Sequence, residues 1–203
     1  MTLALVDIQS GNLGSVANAL RAAGASDVVI TADPDAVASA DRIVLPGVGA
    51  FGACAASLRA VPGLEEALHG AVFTAGRPFL GICVGMQLMA ERGEEHGLHD
   101  GLGWVAGSVR RIEPVGGVRV PHMGWNDVSV CRDHALVAPG EAYFLHSYAV
   151  DTAEADAVVA RTHHGTPLTA AIQAGTAVGV QFHPEKSQRY GIALLERFLA
   201  WRP

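Results

Sequence analysis

The sequence predicts an α/β fold whose centre is a mostly parallel sheet flanked by helices, with antiparallel strands added in the C-terminal half. In the first hundred residues, short and wholly apolar segments alternate with segments of helical periodicity. Strands that are apolar on both faces are typical of a parallel sheet covered by helices on each side. Beyond Gly101, strand-like segments follow one another with only Gly, Pro, Asp or His turns between them. Connections this short leave little room for helices and favour antiparallel pairing.

The N-terminal half supplies four strands and the helices between them. The predicted helices carry apolar residues on one face, and Pro34 and Gly24 stand where helices favour a start and a stop. The predicted strands are residues 3–6, 28–31, 43–45 and 79–82. The predicted helices are residues 13–23, a short one opened by residues 33–34, then 52–59, 64–75 and 84–91.

In the C-terminal half, the sequence predicts seven strands and one final helix. The strands are residues 105–112, 118–123, 127–130, 143–150, 157–162, 169–172 and 177–181, and the helix is residues 187–201. Residues 91–100 are polar and are predicted to form a surface loop. No linker, internal repeat or low-complexity stretch interrupts the chain, so residues 1–203 are expected to form a single domain.

Composition excludes several classes of protein. A net charge of −6 gives no support to nucleic-acid binding, which usually needs a basic face. The three cysteines are too few and too widely spaced for a disulfide framework or a zinc pattern, and no metal or cofactor is expected. The N-terminus lacks a basic leader, and no apolar run approaches the ~20 residues of a membrane helix. We therefore expect a cytoplasmic protein.

Cys83 is the strongest candidate for a nucleophile. A buried strand runs directly into a predicted helix at this residue, with Gly81 two positions before it and Gly85 two positions after. This is the Gly-x-nucleophile-x-Gly elbow, in which a sharp turn lifts the side chain clear of the sheet. The start of a helix favours a thiolate, and the amide of Val84 is placed to bind an oxyanion.

The pattern around Cys83 has a plainer explanation, which is a buried cysteine in a tight turn. The other two cysteines are weaker candidates because neither has flanking glycines. Cys54 lies in an alanine-rich helical segment, and Cys131 follows a strand at a polar turn. Both are expected to be structural.

His183 is the expected proton donor among nine histidines, most of which are expected at the surface or the edge of the core. It follows a predicted strand and precedes Pro184 and Glu185. Functional groups gather at the carboxyl ends of parallel strands, so His183 and Cys83 should face one crevice. Glu185 is placed to hold one tautomer of the imidazole and to stabilise its cation. An exposed histidine in a turn is the alternative for His183 taken alone.

Two segments together resemble the signatures of the class I, triad-type glutamine amidotransferases. They are the run Gly-Ile-Cys-Val-Gly-Met-Gln at 81–87 and the run Gln-Phe-His-Pro-Glu at 181–185. Further segments at 10–16, 45–52, 120–126, 143–148 and 183–187 are similar to the branch of that family that serves imidazole glycerol phosphate synthase. The resemblance covers essentially the whole chain and implies a flavodoxin-like class I glutaminase fold.

The resemblance assigns a role to each matching residue. Cys83 would attack the side-chain amide of L-glutamine and form a thioester, His183 would protonate the departing ammonia, and Glu185 would orient His183. The turn at 46–49 would supply a second oxyanion donor beside the Val84 amide. The residues expected to bind the substrate are Gly49, Val84, Gln87, Ser147 and Tyr148, with core packing as the alternative for Tyr148.

The resemblance also implies a partner. Ammonia released into neutral water is mostly protonated and no longer nucleophilic, so it must be delivered without contact with solvent. The implied partner is a separate (β/α)8-barrel cyclase that forms a heterodimer with this chain, receives ammonia through a passage, and makes imidazole glycerol phosphate and aminoimidazole carboxamide ribonucleotide in histidine biosynthesis. Trp125 and Lys186 are weak candidates for the interface. The alternatives are a glutaminase that serves another synthase, a protease-like or deglycase-like enzyme, and a non-catalytic binding subunit.

Overall fold

The computed structural model describes all 203 residues and contains two sheets and six α-helices. The strands are β1 Thr2–Val6, β2 Asp27–Thr31, β3 Arg42–Gly47, β4 Phe79–Cys83, β5 Ala90–Gly93, β6 His99–Asp100, β7 Val105–Arg111, β8 His122–Val130, β9 Gly140–His146, β10 Tyr148–Asp151, β11 Val158–His164, β12 Thr166–Ala174 and β13 Ala177–Val180. The helices are α1 Leu13–Ala22, α2 Pro34–Ser39, α3 Phe51–Arg59, α4 Leu64–His69, α5 Val84–Gln87 and α6 Gln188–Ala200.

The larger sheet has nine strands in the order β2-β1-β3-β4-β13-β12-β11-β8-β9. The five strands from β2 to β13 are parallel, and the remaining strands pair antiparallel. Strands β3, β4 and β13 are buried at every residue, which accounts for their apolar sequences apart from Arg42 at the start of β3. The predicted parallel sheet extended by antiparallel strands is therefore confirmed.

The N-terminal helices begin where their sequences predict. The side chain of Asn12 caps α1 by accepting from the amide of Ser15, and the side chain of Asp33 caps α2 by accepting from the amide of Asp35. Helix α1 packs against α6, and α2 packs against α4. The predicted helix at 64–75 is α-helical only as far as His69 and continues as a π-helical turn, Gly70–Thr74.

A second sheet of four strands, in the order β10-β7-β5-β6, was not predicted. It explains why the predicted single strand at 143–150 is wrong. The chain leaves the nine-stranded sheet at the end of β9, passes through Ser147, and enters the four-stranded sheet as β10. The segment predicted as one strand thus contributes β9 to one sheet and β10 to the other, and Ser147 separates them.

The predicted helix at 84–91 is also wrong, and the predicted loop at 91–100 is wrong at both of its ends, although residues 94–98 are a loop. Helix α5 has a single turn, and the chain then forms β5, which pairs parallel with β7 and antiparallel with β6. Pairing with a strand that comes later in the chain overrides the local helical pattern here. The predicted strands at 118–123 and 127–130 are one strand, β8 His122–Val130. This strand begins only at His122, because Pro121 just before it lacks the N–H that a ladder needs.

A cluster of buried apolar residues joins the parts of the molecule. It includes Leu3 from the nine-stranded sheet, Val109 from the four-stranded sheet and Phe198 from α6. None of the helices combines the length and the apolar character needed to cross a membrane.

The elbow at Cys83 depends on close backbone packing at its glycines. A Cβ atom at Gly85 would overlap the carbonyl oxygen of Leu45 in β3. A Cβ atom at Gly81 would lie 2.6 Å from the carbonyl oxygen of Gly85. These contacts are with backbone atoms, which cannot rotate away as a side chain would, so only glycine fits.

We predict that Gly85→Ala lowers the free energy of unfolding by at least about 3 kcal/mol, because the methyl group forces β3 and α5 apart. The matched control is Gly14→Ala in α1, where an added Cβ meets nothing within 4 Å. This control should raise the free energy of unfolding by about 0.5 kcal/mol. Urea unfolding of both variants checks the prediction, and equal stability of the two would contradict it.

Candidate active site

Three neighbouring strand ends bring the predicted site residues together. Strands β3, β4 and β13 are adjacent and parallel, with Gly47 beside Cys83 and Val180 beside Ile82 in the register. Their carboxyl ends therefore point to the same edge of the sheet. His183 comes three residues after the end of β13, so it reaches the same crevice as Cys83.

Cys83 stands at the apex of the turn between β4 and α5. Its φ is 55°, a left-handed conformation that is uncommon for a residue with a side chain. Such strain is typical of functional turns that aim a side chain out of a sheet. The side chain is 5% exposed. Helix α5 has only four residues and is shorter than the predicted helix.

His183 and Glu185 form a buried ion pair. His183 Nδ1 lies 2.8 Å from Glu185 Oε1. Because a carboxylate only accepts, Nδ1 carries the proton and the other ring nitrogen is left for Cys83. The backbone of His183 is itself held, since its amide donates to the carbonyl of Tyr143 and its carbonyl accepts from the hydroxyl of Ser187.

The surroundings of His183 favour its charged form. Burial lowers the pKa of this imidazole, but hydrogen bonds and charge interactions with Cys83 and Glu185 outweigh burial and raise the pKa to about 9. His183 is therefore a cation at neutral pH. Cys83 and His183 line the same cavity, and Cys83 is close enough to His183 to raise the pKa of its imidazole.

A cavity of about 520 Å³ opens over the cysteine. Of the eight residues that the sequence predicts for the site, seven line it, and Glu185 lies behind His183. The seven are Gly49, Cys83, Val84, Gln87, Ser147, Tyr148 and His183. A cavity of this size accommodates a small molecule. No group of three or more His, Cys, Asp or Glu side chains is arranged to hold a metal ion.

The family model for glutamine amidotransferase class-I matches residues 4–201 of the chain. The chain belongs to the class I glutamine amidotransferase family. A protein of Zymomonas mobilis named imidazole glycerol phosphate synthase subunit HisH is 54% identical to this chain, and the alignment covers 100% of this chain and 97% of that protein. The corresponding protein of Caulobacter vibrioides is 50% identical, with 100% and 99% covered.

Solved structures share the amidotransferase fold. The crystal structure of a glutamine amidotransferase superposes with a TM-score of 0.74 at 21% identity, covering 97% of both chains. The structure of PurLQS from Thermotoga maritima superposes with a TM-score of 0.73 at 17% identity, covering 98% of this chain and 97% of that one. At these identities the likeness concerns the fold alone.

The other two cysteines of this amidotransferase are not part of the triad. Cys54 is buried in α3, and burial raises the pKa of its thiol. Its sulfur lies 3.4 Å from the carbonyl oxygen of Val48, which also accepts from the hydroxyl of Ser10. Cys54 thus helps to hold the turn at 46–49 from behind. Cys131 is exposed at the end of β8.

The sequence interpretation missed two residues that the fold brings to the site. Gln181 is fully buried, and its Nε2 lies 3.7 Å from Cys83 Sγ. It directly follows β13, so the rule that placed His183 at a strand end applies to Gln181 as well. His146 lines the cavity at the end of β9. The predicted unbroken strand through His146 hid the point where the chain turns toward the cavity.

We predict that Glu185→Gln lowers the pKa of His183 from about 9 toward the ordinary value of 6.5, because the carboxylate charge is lost. NMR titration of labelled histidine, with the His183 signal assigned from a His183→Gln variant, measures it. Glu65→Gln is the control, since Glu65 pairs with Arg59 at the surface. An unchanged pKa of His183 in Glu185→Gln would contradict the ion pair.

The same shift has a consequence for stability. The pKa of His183 is raised in the folded state, so its protonation stabilises the fold fully below about pH 6.5. The contribution is lost as the pH rises through about 9.

Proposed function

We propose that this chain is the glutaminase subunit of an imidazole glycerol phosphate synthase. It hydrolyses L-glutamine to glutamate and ammonia and passes the ammonia to a cyclase subunit. The observation that carries the activity is the meeting of Cys83, His183 and Glu185 at one cavity. The choice of synthase rests on relatives of that name that align over the whole chain. We propose that residues 1–203 act as one cytoplasmic glutaminase domain without a cofactor.

The reaction begins with attack of the Cys83 sulfur on the carboxamide carbon of glutamine. The C–S bond forms, and the carbonyl oxygen gains negative charge, which the amide of Val84 and the turn at 46–49 bind. As the C–N bond breaks, His183 gives its proton to the nitrogen, and ammonia departs. A glutamyl thioester on Cys83 remains.

Hydrolysis of the thioester depends on a change in His183. Interactions with Cys83 help to raise the pKa of this imidazole, and they weaken once the sulfur is acylated. Burial and Glu185 then act alone, and the lower pKa suits a general base. His183 takes a proton from water, the new C–O bond forms, and the C–S bond breaks. Glutamate leaves, and the thiolate and the imidazolium are restored.

Gln87 is suited to bind the substrate because its amide is already oriented. Its Nε2 donates to the carbonyl of Tyr148 and to Gln181 Oε1, both at 3.0 Å. Both of its N–H groups are thereby used, so only Oε1 is offered to the cavity. We propose that this oxygen accepts a hydrogen bond from the amino group of glutamine. Ser147, Tyr148 and Gly49 complete the substrate site.

The proposed docking face for the (β/α)8-barrel cyclase lies on β8. Met123 and Trp125 are 60% and 48% exposed there, although both are large and apolar. Trp125 packs edge-on against Tyr143, with 6.2 Å between ring centroids, and Lys186 Nζ lies 5.9 Å from the Tyr143 centroid. Lys186 also lines the cavity. These contacts connect the apolar face to the cavity mouth, where a heterodimer would need its ammonia passage.

We predict that Cys83→Ala lowers glutaminase activity in the presence of the cyclase by at least about 10³-fold, because no thioester can form. Hydroxylamine added to the unaltered complex should trap the thioester as γ-glutamyl hydroxamate, and Cys83→Ala should yield none. Cys131→Ala is the control and should keep the activity of the unaltered chain, since Cys131 is exposed and is not among the residues that line the cavity.

Two results would overturn the proposed activity. Retained turnover in Cys83→Ala would exclude this nucleophile. Absence of activity from the unaltered chain with the cyclase present would favour a non-catalytic binding subunit.

We predict that Trp125→Ala raises the dissociation constant for the cyclase by at least about tenfold, since buried aromatic side chains carry much of the energy of an interface. Isothermal titration calorimetry measures the binding. The control is Ile30→Ala, because Ile30 is similarly exposed but lies on β2 at the opposite edge of the sheet. Equal binding by the two variants would place the interface elsewhere.

A further inference from the structure

Two buried histidines beside the glutamine site take no part in the proposed chemistry. His122 and His146 are paired across β8 and β9, with 3.0 Å between His122 Nδ1 and His146 Nε2. The His122 ring is stacked between Phe144 and His164, at centroid distances of 4.7 Å and 4.2 Å. Both histidines are almost fully buried.

Both rings are neutral in these surroundings. Burial, together with the nearby His164, lowers the pKa of His122 to about 4. Burial lowers the pKa of His146 to about 3, and the hydrogen bond to the backbone at Tyr148 offsets only part of that shift. A neutral imidazole carries one N–H, so each ring donates at one nitrogen and accepts at the other.

The hydrogen-bond partners determine the tautomer of each ring. His146 Nδ1 lies 2.9 Å from the carbonyl oxygen of Tyr148, which only accepts, so Nδ1 carries the proton. His146 Nε2 then accepts from His122 Nδ1. His122 Nε2 is left to accept from Asn126 Nδ2 at 2.9 Å.

The contacts of Asn126, at the other end of this series of hydrogen bonds, indicate the same donor and acceptor at each bond. Asn126 Oδ1 accepts from the amide of Asp127, and Asn126 Nδ2 donates to the carbonyl of His163. The amide of Asn126 is therefore oriented by the backbone, with its nitrogen facing His122. Each group therefore donates to the next, from Asn126 to His122, from His122 to His146 and from His146 to the carbonyl of Tyr148.

The carbonyl of Tyr148 connects this chain to the cavity. It accepts from His146 and from Gln87 Nε2. Gln87 also donates to Gln181 Oε1, and Gln181 Nε2 points to Cys83 Sγ. Tyr148 is the first residue of β10 and follows Ser147, where the chain leaves one sheet and enters the other. Without His146, this junction would lose a bond that fixes the direction of the Tyr148 carbonyl.

We propose that His146, held in its Nδ1–H tautomer by His122, is a positioning residue that orients the Tyr148 carbonyl and, through it, the Gln87 amide that binds glutamine. The inference rests on the proposed glutaminase function and deepens it. His146 lines the cavity, but both of its ring nitrogens are bonded to His122 and Tyr148, so we expect it to act on binding of glutamine rather than on the chemical steps.

The kinetic test compares two substitutions at position 146 in the complex with the cyclase. His146→Phe keeps a ring but removes the donor to Tyr148, and it should raise KM for glutamine by at least about fivefold with kcat within about twofold. His146→Asn places an amide nitrogen where Nδ1 stood, and it should restore KM to within about twofold of the unaltered chain. Far-ultraviolet circular dichroism and thermal melts establish that each variant is folded.

The outcomes separate the two proposals. If His146→Phe and His146→Asn show the same KM, or if only kcat falls, the positioning role is wrong while the glutaminase function stands. If the unaltered complex has no glutaminase activity, the proposed function itself fails.

A second measurement needs neither a variant nor activity. Long-range ¹H–¹⁵N correlation spectra of the unaltered chain at neutral pH report the tautomer of each histidine. We expect both His122 and His146 in the Nδ1–H form. A proton on Nε2 of His146, or a charged ring at either position, would overturn the inference.

Discussion

The pairing of β13 with β4 is the constraint on which the site depends. Cys83 and His183 are a hundred residues apart in sequence, yet parallel pairing of Val180 with Ile82 sets their strand ends side by side. Side chains alternate between the two faces of a strand, so a slip of one residue would turn them to opposite faces. The burial of β4 and β13 on both faces keeps these strands at the centre of the sheet, and the close contact of Gly85 with β3 fixes the position of the elbow.

Buried histidines in this protein differ in their charge. Burial alone disfavours an imidazolium, and it leaves His122 and His146 neutral. His183 is also buried, but Glu185 and Cys83 stabilise its cation and raise its pKa to about 9. The presence of an acidic partner thus decides between a histidine that moves protons and one that only directs hydrogen bonds. The two kinds meet at the cavity, which His146 and His183 both line.

The parts of the molecule that were predictable from sequence are those whose signal is local. The apolar segments that form most of β3, β4 and β13 indicated a parallel sheet, and the glycines around Cys83 indicated the elbow. The parts that were missed depend on distant pairing. The strand β5 replaces a predicted helix because β7 and β6 pair with it, and the break at Ser147 exists because two sheets compete for one segment. Gln181 and His146 were overlooked because their partners come from other elements.

A covalent cross-link tests the central spatial claim directly. Dibromoacetone alkylates a thiol at one end and can then alkylate an imidazole only within reach of its short three-carbon bridge. After treatment of the chain and proteolysis, mass spectrometry should find the peptide that contains Cys83 joined to the peptide that contains His183. A bridge from Cys83 to a different histidine, or alkylation of Cys83 with no bridge to His183, would contradict the arrangement on which the proposed chemistry rests.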